Sequence, residues 1–162
     1  MSSTDYELVI ESVRGEMRRD GADNKIDIQK FEFETHVARE GASGVSRMRR
    51  QYTDVTFTKL LDRASPTLQS MLATNSVIKT ATLKVYKAAG DQRLLYYKLI
   101  LSDGYISSYK IVGEHLHDEY GAIPRDEFSI NFRKIEVDYT KQAQEGGGSG
   151  SVSFTDTLDS NR

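Results

Sequence analysis

Between Tyr6 and Tyr139 apolar and polar residues alternate over one short stretch after another. A period of two is the signature of half-buried strands, not of helices. Tyr6, Leu8 and Ile10 share one face of a first strand, and Asp23-Asn24 marks a turn before the next. Ile26 and Ile28 begin that strand in one phase, whereas Phe31, Phe33 and Thr35 continue it in the other. Such a slip is what a bulge produces, and it lets one long strand bend from one sheet into another. Phe128, Ile130 and Phe132, followed by Ile135, Val137 and Tyr139, repeat it. Between them lie Val55-Thr56-Phe57-Thr58 and a strand carrying Ala81, Leu83 and Val85. The turn Ala88-Ala89-Gly90-Asp91 then leads into Leu94 to Leu101, and an Asp103-Gly104 turn precedes Tyr105 to Val112. Roughly seven or eight strands at such spacing predict a mainly β chain, a closed two-sheet β-barrel.

One helix interrupts the pattern. Ser65-Pro66 reads as an N-cap followed by Pro at the first helical position, predicting a short side helix over about 66–74. Leu68, Met71 and Leu72 form its apolar stripe, and Asn75 suits a left-handed turn at its end. A helix this short is unstable alone, so the stripe must dock on a sheet.

At 162 residues the chain suffices for one ordinary domain and has no room for a fused enzyme. Residues 1–142 form the body. Residues 143–162, beginning with the hinge-like Gly146 to Gly150, form a tail that is disordered or adds one edge strand through Val152 and Phe154. The formal net charge of -2 resides in the tail, leaving a neutral body that permits self-association and gives no footprint for nucleic acid. Cysteine is absent, which excludes disulfides, thiolate metal sites and a Cys nucleophile. The opening residues lack the basic start and apolar run of a secretory signal, and the longest apolar stretches fall well short of the roughly 20 residues a membrane span needs.

Chemistry-bearing patterns are sparse. His115 and His117 fall on one side of an extended segment beside Asp118 and Glu119, but spacing fixes no third ligand, so no metal is assigned. His36 stands alone. Ser107-Ser108 lacks the Gly-x-Ser-x-Gly elbow, and the Gly146 to Gly150 run lacks the Lys-Ser or Lys-Thr ending of a phosphate loop. No catalytic constellation and no cofactor emerge. What stands out is a charge dipole: His36 to Gln51 sums to +3 without any period, and Gly113 to Glu127 sums to -4. These segments are either solvated loops or complementary ends through which one copy docks head to tail on the next. Without interleaved aromatics, the Arg-rich segment does not suggest nucleic acid.

The order of these pieces is similar to that of one family. Val55-Thr-Phe-Thr-Lys-Leu-Leu-Asp-Arg-Ala-Ser-Pro-Thr-Leu68 resembles the most recognisable segment of the haemolysin-coregulated protein (Hcp) family, the tube subunit of type VI secretion systems. There a strand ending in a Phe-Thr-Lys type motif runs through an Asp to a Ser/Thr-Pro helix cap. The resemblance continues through Ala81-Thr-Leu-Lys-Val-Tyr86, Ile106-Ser107-Ser108, Phe128-Ser-Ile-Asn-Phe132 and Ile135-Glu-Val-Asp-Tyr139, covering about Tyr6 to Gln142.

That resemblance implies a non-enzymatic homohexameric ring, rings stacked into a hollow tube, and effector proteins carried in the lumen. It also implies tip (spike) and sheath proteins as partners. Assembly would take place in the bacterial cytoplasm, followed by export without a cleavable signal peptide and without membrane insertion. The family's long extended loop falls at Ala38 to Gln51. Arg39, Arg47, Met48, Arg49 and Arg50 therefore become ring-stacking candidates, with Glu114, Asp118 and Glu119 opposite them. With Phe31 and Phe33 facing the core, Lys30, Glu32 and Glu34 face the other way and are the candidates for lining the lumen or contacting effectors; an outer wall or a subunit interface is the alternative. Two other readings stay open: the tail-tube subunit of a contractile phage or phage-derived injection particle, and a monomeric β-sandwich ligand-binding module.

Overall fold

The alternation resolves into twelve strands and one helix in a computed structural model that describes residues 4–11, 13, 15, 24–39, 48–114, 123–141 and 150–158. The strands are β1 (Thr4–Ile10), β2 (Ile26–Ile28), β3 (Lys30–Glu32), β4 (Thr35–Arg39), β5 (Met48–Tyr52) and β6 (Val55–Leu60). After the helix α1 (Ala64–Ala73) come β7 (Ile78–Ala89), β8 (Gln92–Gly104), β9 (Ile106–Val112), β10 (Arg125–Ile130), β11 (Lys134–Thr140) and β12 (Ser151–Thr157). One sheet has the order β12-β11-β8-β7-β1-β2, a second β3-β6-β10-β9, and β4 and β5 form a separate two-stranded sheet. Every pairing is antiparallel.

Both phase slips mark places where a strand changes sheets. β2 belongs to the first sheet and β3 to the second, and at the break the Gln29 amide bonds the Thr58 carbonyl at 2.8 Å. β10 and β11 repeat this across residues 131–133. A third crossing, between β8 and β9, falls where the sequence suggested a turn. Asp103 has φ 55°, and a Cβ on Gly104 would stand 1.8 Å from the Asn131 carbonyl oxygen. Asp103-Gly104 is therefore a corner in a continuing strand, and glycine is needed there because another backbone passes against it.

The fold is mainly β with one short helix, but no single hydrogen-bonded sheet closes on itself as the barrel expectation required. Each of the two larger sheets has two ends among the described residues. The physical reason is the corners: bent strands interrupt the ladders where one sheet gives way to the other.

Leu8, Ile26, Val55, Phe57, Leu68, Leu99, Phe128, Ile130 and Ile135 are fully buried between the sheets. Phe57 and Phe128 stand opposite each other in register and stack with ring centroids 5.3 Å apart. The helix anchors through Leu68, with Met71 and Leu72 half-buried against the same core. Its N-terminus differs from expectation. The N-cap position is Arg63, whose side chain makes no cap, and Ser65 and Pro66 lie inside the first turn. Pro66 is tolerated there because first-turn N–H groups have no intrahelical acceptor. Asp62 takes over the capping task, its Oδ1 accepting the Ala64 N–H at 2.9 Å. The helix ends as anticipated, with Asn75 at φ 52°.

Candidate functional site

Period two places Lys59 of β6 in phase with Val55 and Phe57, and Asp126 of β10 in phase with Phe128 and Ile130. The two charges are register partners on the buried face, and both are completely buried. Lys59 Nζ lies 3.0 Å from Asp126 Oδ1 and donates to Asp62 Oδ1 at 2.8 Å and to Ser65 Oγ at 2.7 Å. Tyr109 of β9 donates its hydroxyl to Asp126 Oδ2 at 2.7 Å. Burial, reinforced by that carboxylate, pushes the Tyr109 phenol up to about 12. One ammonium thus ties two strands to the start of the helix, with Tyr109 bringing in a third strand. This gives the Phe57-Thr58-Lys59 … Asp62 … Ser65-Pro66 run a physical reason. Ser65 and Lys59 superficially recombine the parts of a nucleophile and base. However, the ammonium is committed to two carboxylates and Ser65 is buried, so the arrangement is a clamp.

The Arg-rich segment, expected to be irregular, is regular over its described residues. β4 and β5 pair from Thr35↔Tyr52 to Arg39↔Met48, and His36 Nε2 lies 2.9 Å from Gln51 Oε1. The hairpin's described side chains from Thr35 to Val37 and from Arg49 to Gln51 are exposed, so no core imposes alternation on them and no period reveals it. Arg49 is exposed, whereas Arg50 on the opposite face reaches the tail. Its guanidinium forks onto Asp156 of β12: Nε donates to Oδ2, one terminal nitrogen donates to Oδ1 at 2.8 Å, and that same nitrogen also donates to the Thr157 carbonyl at 3.2 Å. The Tyr52 hydroxyl donates to Asp156 Oδ2 at 2.7 Å, and its ring meets Phe132 edge-on at 5.6 Å. These contacts hold the Asp156 carboxyl below its ordinary range, the Arg50 hydrogen bond being the main cause. The Arg50 guanidinium is raised in turn by the same bond, and the Tyr52 phenol is raised mainly by burial.

Of the other stacking candidates, Glu114 is exposed after β9, and Arg47, Asp118 and Glu119 lie outside the described residues, as do His115 and His117. Burial of Asp126 leaves its segment one surface charge poorer than the sequence count suggests. Lys30 and Glu32 face outward from β3 and bridge each other at 3.5 Å, each about two-thirds exposed. Glu34 is exposed, its amide donating to Thr53 Oγ1 at 2.8 Å, while Phe31 and Phe33 pack against the core.

The sequence reading missed the Lys59 clamp and the Arg50 fork, and also Glu7, whose buried side chain lies 3.1 Å from Lys25 Nζ and 3.7 Å from Arg93. Charged residues in core phase on two strands were the available signal for the clamp. Among the described residues no group of His, Asp or Glu is arranged to hold a metal ion, and no helix is long and apolar enough to cross a membrane.

Comparison with known proteins bears on this arrangement. The family model described as "Type VI secretion system effector, Hcp" matches residues 8–139. "Protein hcp1" of Pseudomonas aeruginosa is 27% identical over 97 residues, a match spanning 60% of this chain and 57% of that protein's length. The "Major exported protein" of the same organism is 26% identical over 137 residues, covering 83% of this chain and 79% of that one. The crystal structure of Hcp1 from Salmonella typhimurium shares the fold with a TM-score of 0.77 at 22% identity, covering 96% of this chain and 95% of that one. With the family match running from β1 to β11, the chain belongs to the type VI secretion Hcp family.

Proposed function

We propose that this chain is the inner-tube subunit of a type VI secretion machine. Six copies close a ring, rings stack into a hollow tube, and effector proteins are carried in the lumen when the tube is expelled past its sheath and tip proteins. The observation that carries this reading is the family match across residues 8–139. Export follows the machine and requires no cleavable signal.

The sheet edges support self-assembly. Among the described residues β9 and β12 each pair on one side only, and both edges expose apolar side chains: Ile111 and Val112 on β9, Val152 and Phe154 on β12. Two different unpaired edges on one molecule suit a heterologous contact that closes into a ring. A barrel is supported by the chain path, since β2 runs into β3, β8 into β9 and β10 into β11, so that the backbone links the two sheets at three corners round the core.

In this account the hairpin, with Arg39, Arg47, Met48 and Arg49, docks against the Glu114, Asp118 and Glu119 region of the next ring, while Arg50, also a stacking candidate by sequence, is engaged by Asp156 of its own chain. Lys30, Glu32 and Glu34 face the lumen and its cargo. Arg49→Glu tests the stacking contact. It should leave single rings that no longer form tubes in electron micrographs, and unaltered tubes would remove the contact. Glu32→Arg should weaken effector capture; capture of every cognate effector unchanged would remove the lumen assignment.

A further inference from the structure

The hairpin of β4 and β5 stands apart from both larger sheets, and an isolated two-stranded hairpin is marginal in water. Its pose must be set from outside. At its base the Thr53 amide bonds the Glu34 carbonyl at 2.9 Å, which fixes where the hairpin leaves the body but not its angle. Higher up, Tyr52 and Arg50 both point at one residue, Asp156. Asp156 is itself unusual. β12 is exposed at its six other positions, whereas the Asp156 side chain is only 16% exposed and accepts three hydrogen bonds from the hairpin. Both carboxylate oxygens face the planar guanidinium fork, and such a bidentate contact specifies orientation as well as attraction. Just beyond it, Leu158 packs on the core and its amide bonds the Arg133 carbonyl at 2.6 Å, so the carboxylate sits on a fixed support.

We propose that Asp156 is a positioning residue: the C-terminal strand latches the β4–β5 hairpin in the pose from which it docks on the next ring. The docking half of this statement rests on the proposed function; the latch does not. The partner presented to the neighbouring copy is then a composite of hairpin and tail. Arg50 acts within its own chain to aim the exposed Arg49 outward.

Hydrogen exchange of the β4 and β5 amides in the 162-residue chain tests the latch. Asp156→Asn should speed their exchange by about two- to fivefold, the range of a screened, partly exposed ion pair. Arg50→Lys, which keeps the charge and loses the fork, should do the same. The double variant should add little to either single change. Asp138→Asn, which removes the charge of the carboxylate that accepts from Ser153 Oγ on the same strand pair, should leave the hairpin unchanged. Unchanged hairpin exchange in Asp156→Asn, or equal acceleration in Asp138→Asn, overturns the latch. Failure of the stacking reading is seen elsewhere, as intact tubes in Arg49→Glu, a variant that leaves the Asp156 contacts in place.

Discussion

Replacing Lys59 with Met keeps the apolar stem and most of its packing while removing the ammonium. Asp126, completely buried, then loses its ion pair at 3.0 Å and retains only the Tyr109 hydroxyl. Ser65 Oγ loses a donor, and Asp62 is less affected because its side chain is 13% exposed and can turn to water. Removing one partner of a buried ion pair typically costs about 3–5 kcal/mol. For a domain whose whole stability is about 5–15 kcal/mol, that is a large share. With a urea dependence of about 2 kcal/mol per molar, the unfolding midpoint should fall by about 2 M. Equilibrium urea unfolding of Lys59→Met, Asp126→Asn and the double variant provides the test. Asp126→Asn in the Lys59→Met background should recover a substantial part of the loss, because the neutral amide still accepts from Tyr109 and leaves no unpaired charge. A Lys59→Met cost below about 1 kcal/mol, or strict additivity of the two changes, would refute the clamp.

Other outcomes follow from the same geometry. Tyr109 is an acid whose folded value, about 12, lies above the ordinary phenol value of 10, so the stability it contributes is fully present below pH 10 and lost as pH rises towards 12. Tyr109→Phe should therefore flatten the alkaline limb of a stability profile; an unchanged limb would contradict the assignment. Asp156, held below the ordinary carboxylate range, contributes stability above that range and loses it as pH falls through its lowered folded value. The β12 amides should lose protection in acid, and Asp156→Asn should abolish that step. Gly104→Ala places a methyl group 1.8 Å from the Asn131 carbonyl oxygen, so the corner must open. A loss of about 3 kcal/mol in urea unfolding is expected, and a loss under about 0.5 kcal/mol would mean the corner tolerates a side chain.

Strands were legible wherever one face is buried, because burial imposes period two. Leu8 with Ile10, and Ala81 with Leu83, show it plainly. Both sheet crossings marked by a phase slip could be read for the same reason, whereas the crossing at Gly104 was read as a turn because Asp-Gly signals either. The hairpin left no trace, since its described side chains from Thr35 to Val37 and from Arg49 to Gln51 are all exposed and leave no alternation to betray it. Lys59 and Asp126 were visible in principle as opposite charges in core phase. The Arg50 to Asp156 fork was not, because it joins residues 106 apart and nothing in spacing singles out one carboxylate among 24 acidic residues. Helix placement was sound because it rested on an apolar stripe. Its cap was misjudged because Ser65 serves Lys59 instead of the helix end.

The central claim is that this chain is built to close into a ring. Solution mass by sedimentation or light scattering, with negative-stain electron microscopy of the same sample, tests it most directly. The account predicts a species of six times the mass of one chain, seen as rings with an open centre. A strict monomer at high concentration, with no rings on the grid, would contradict it.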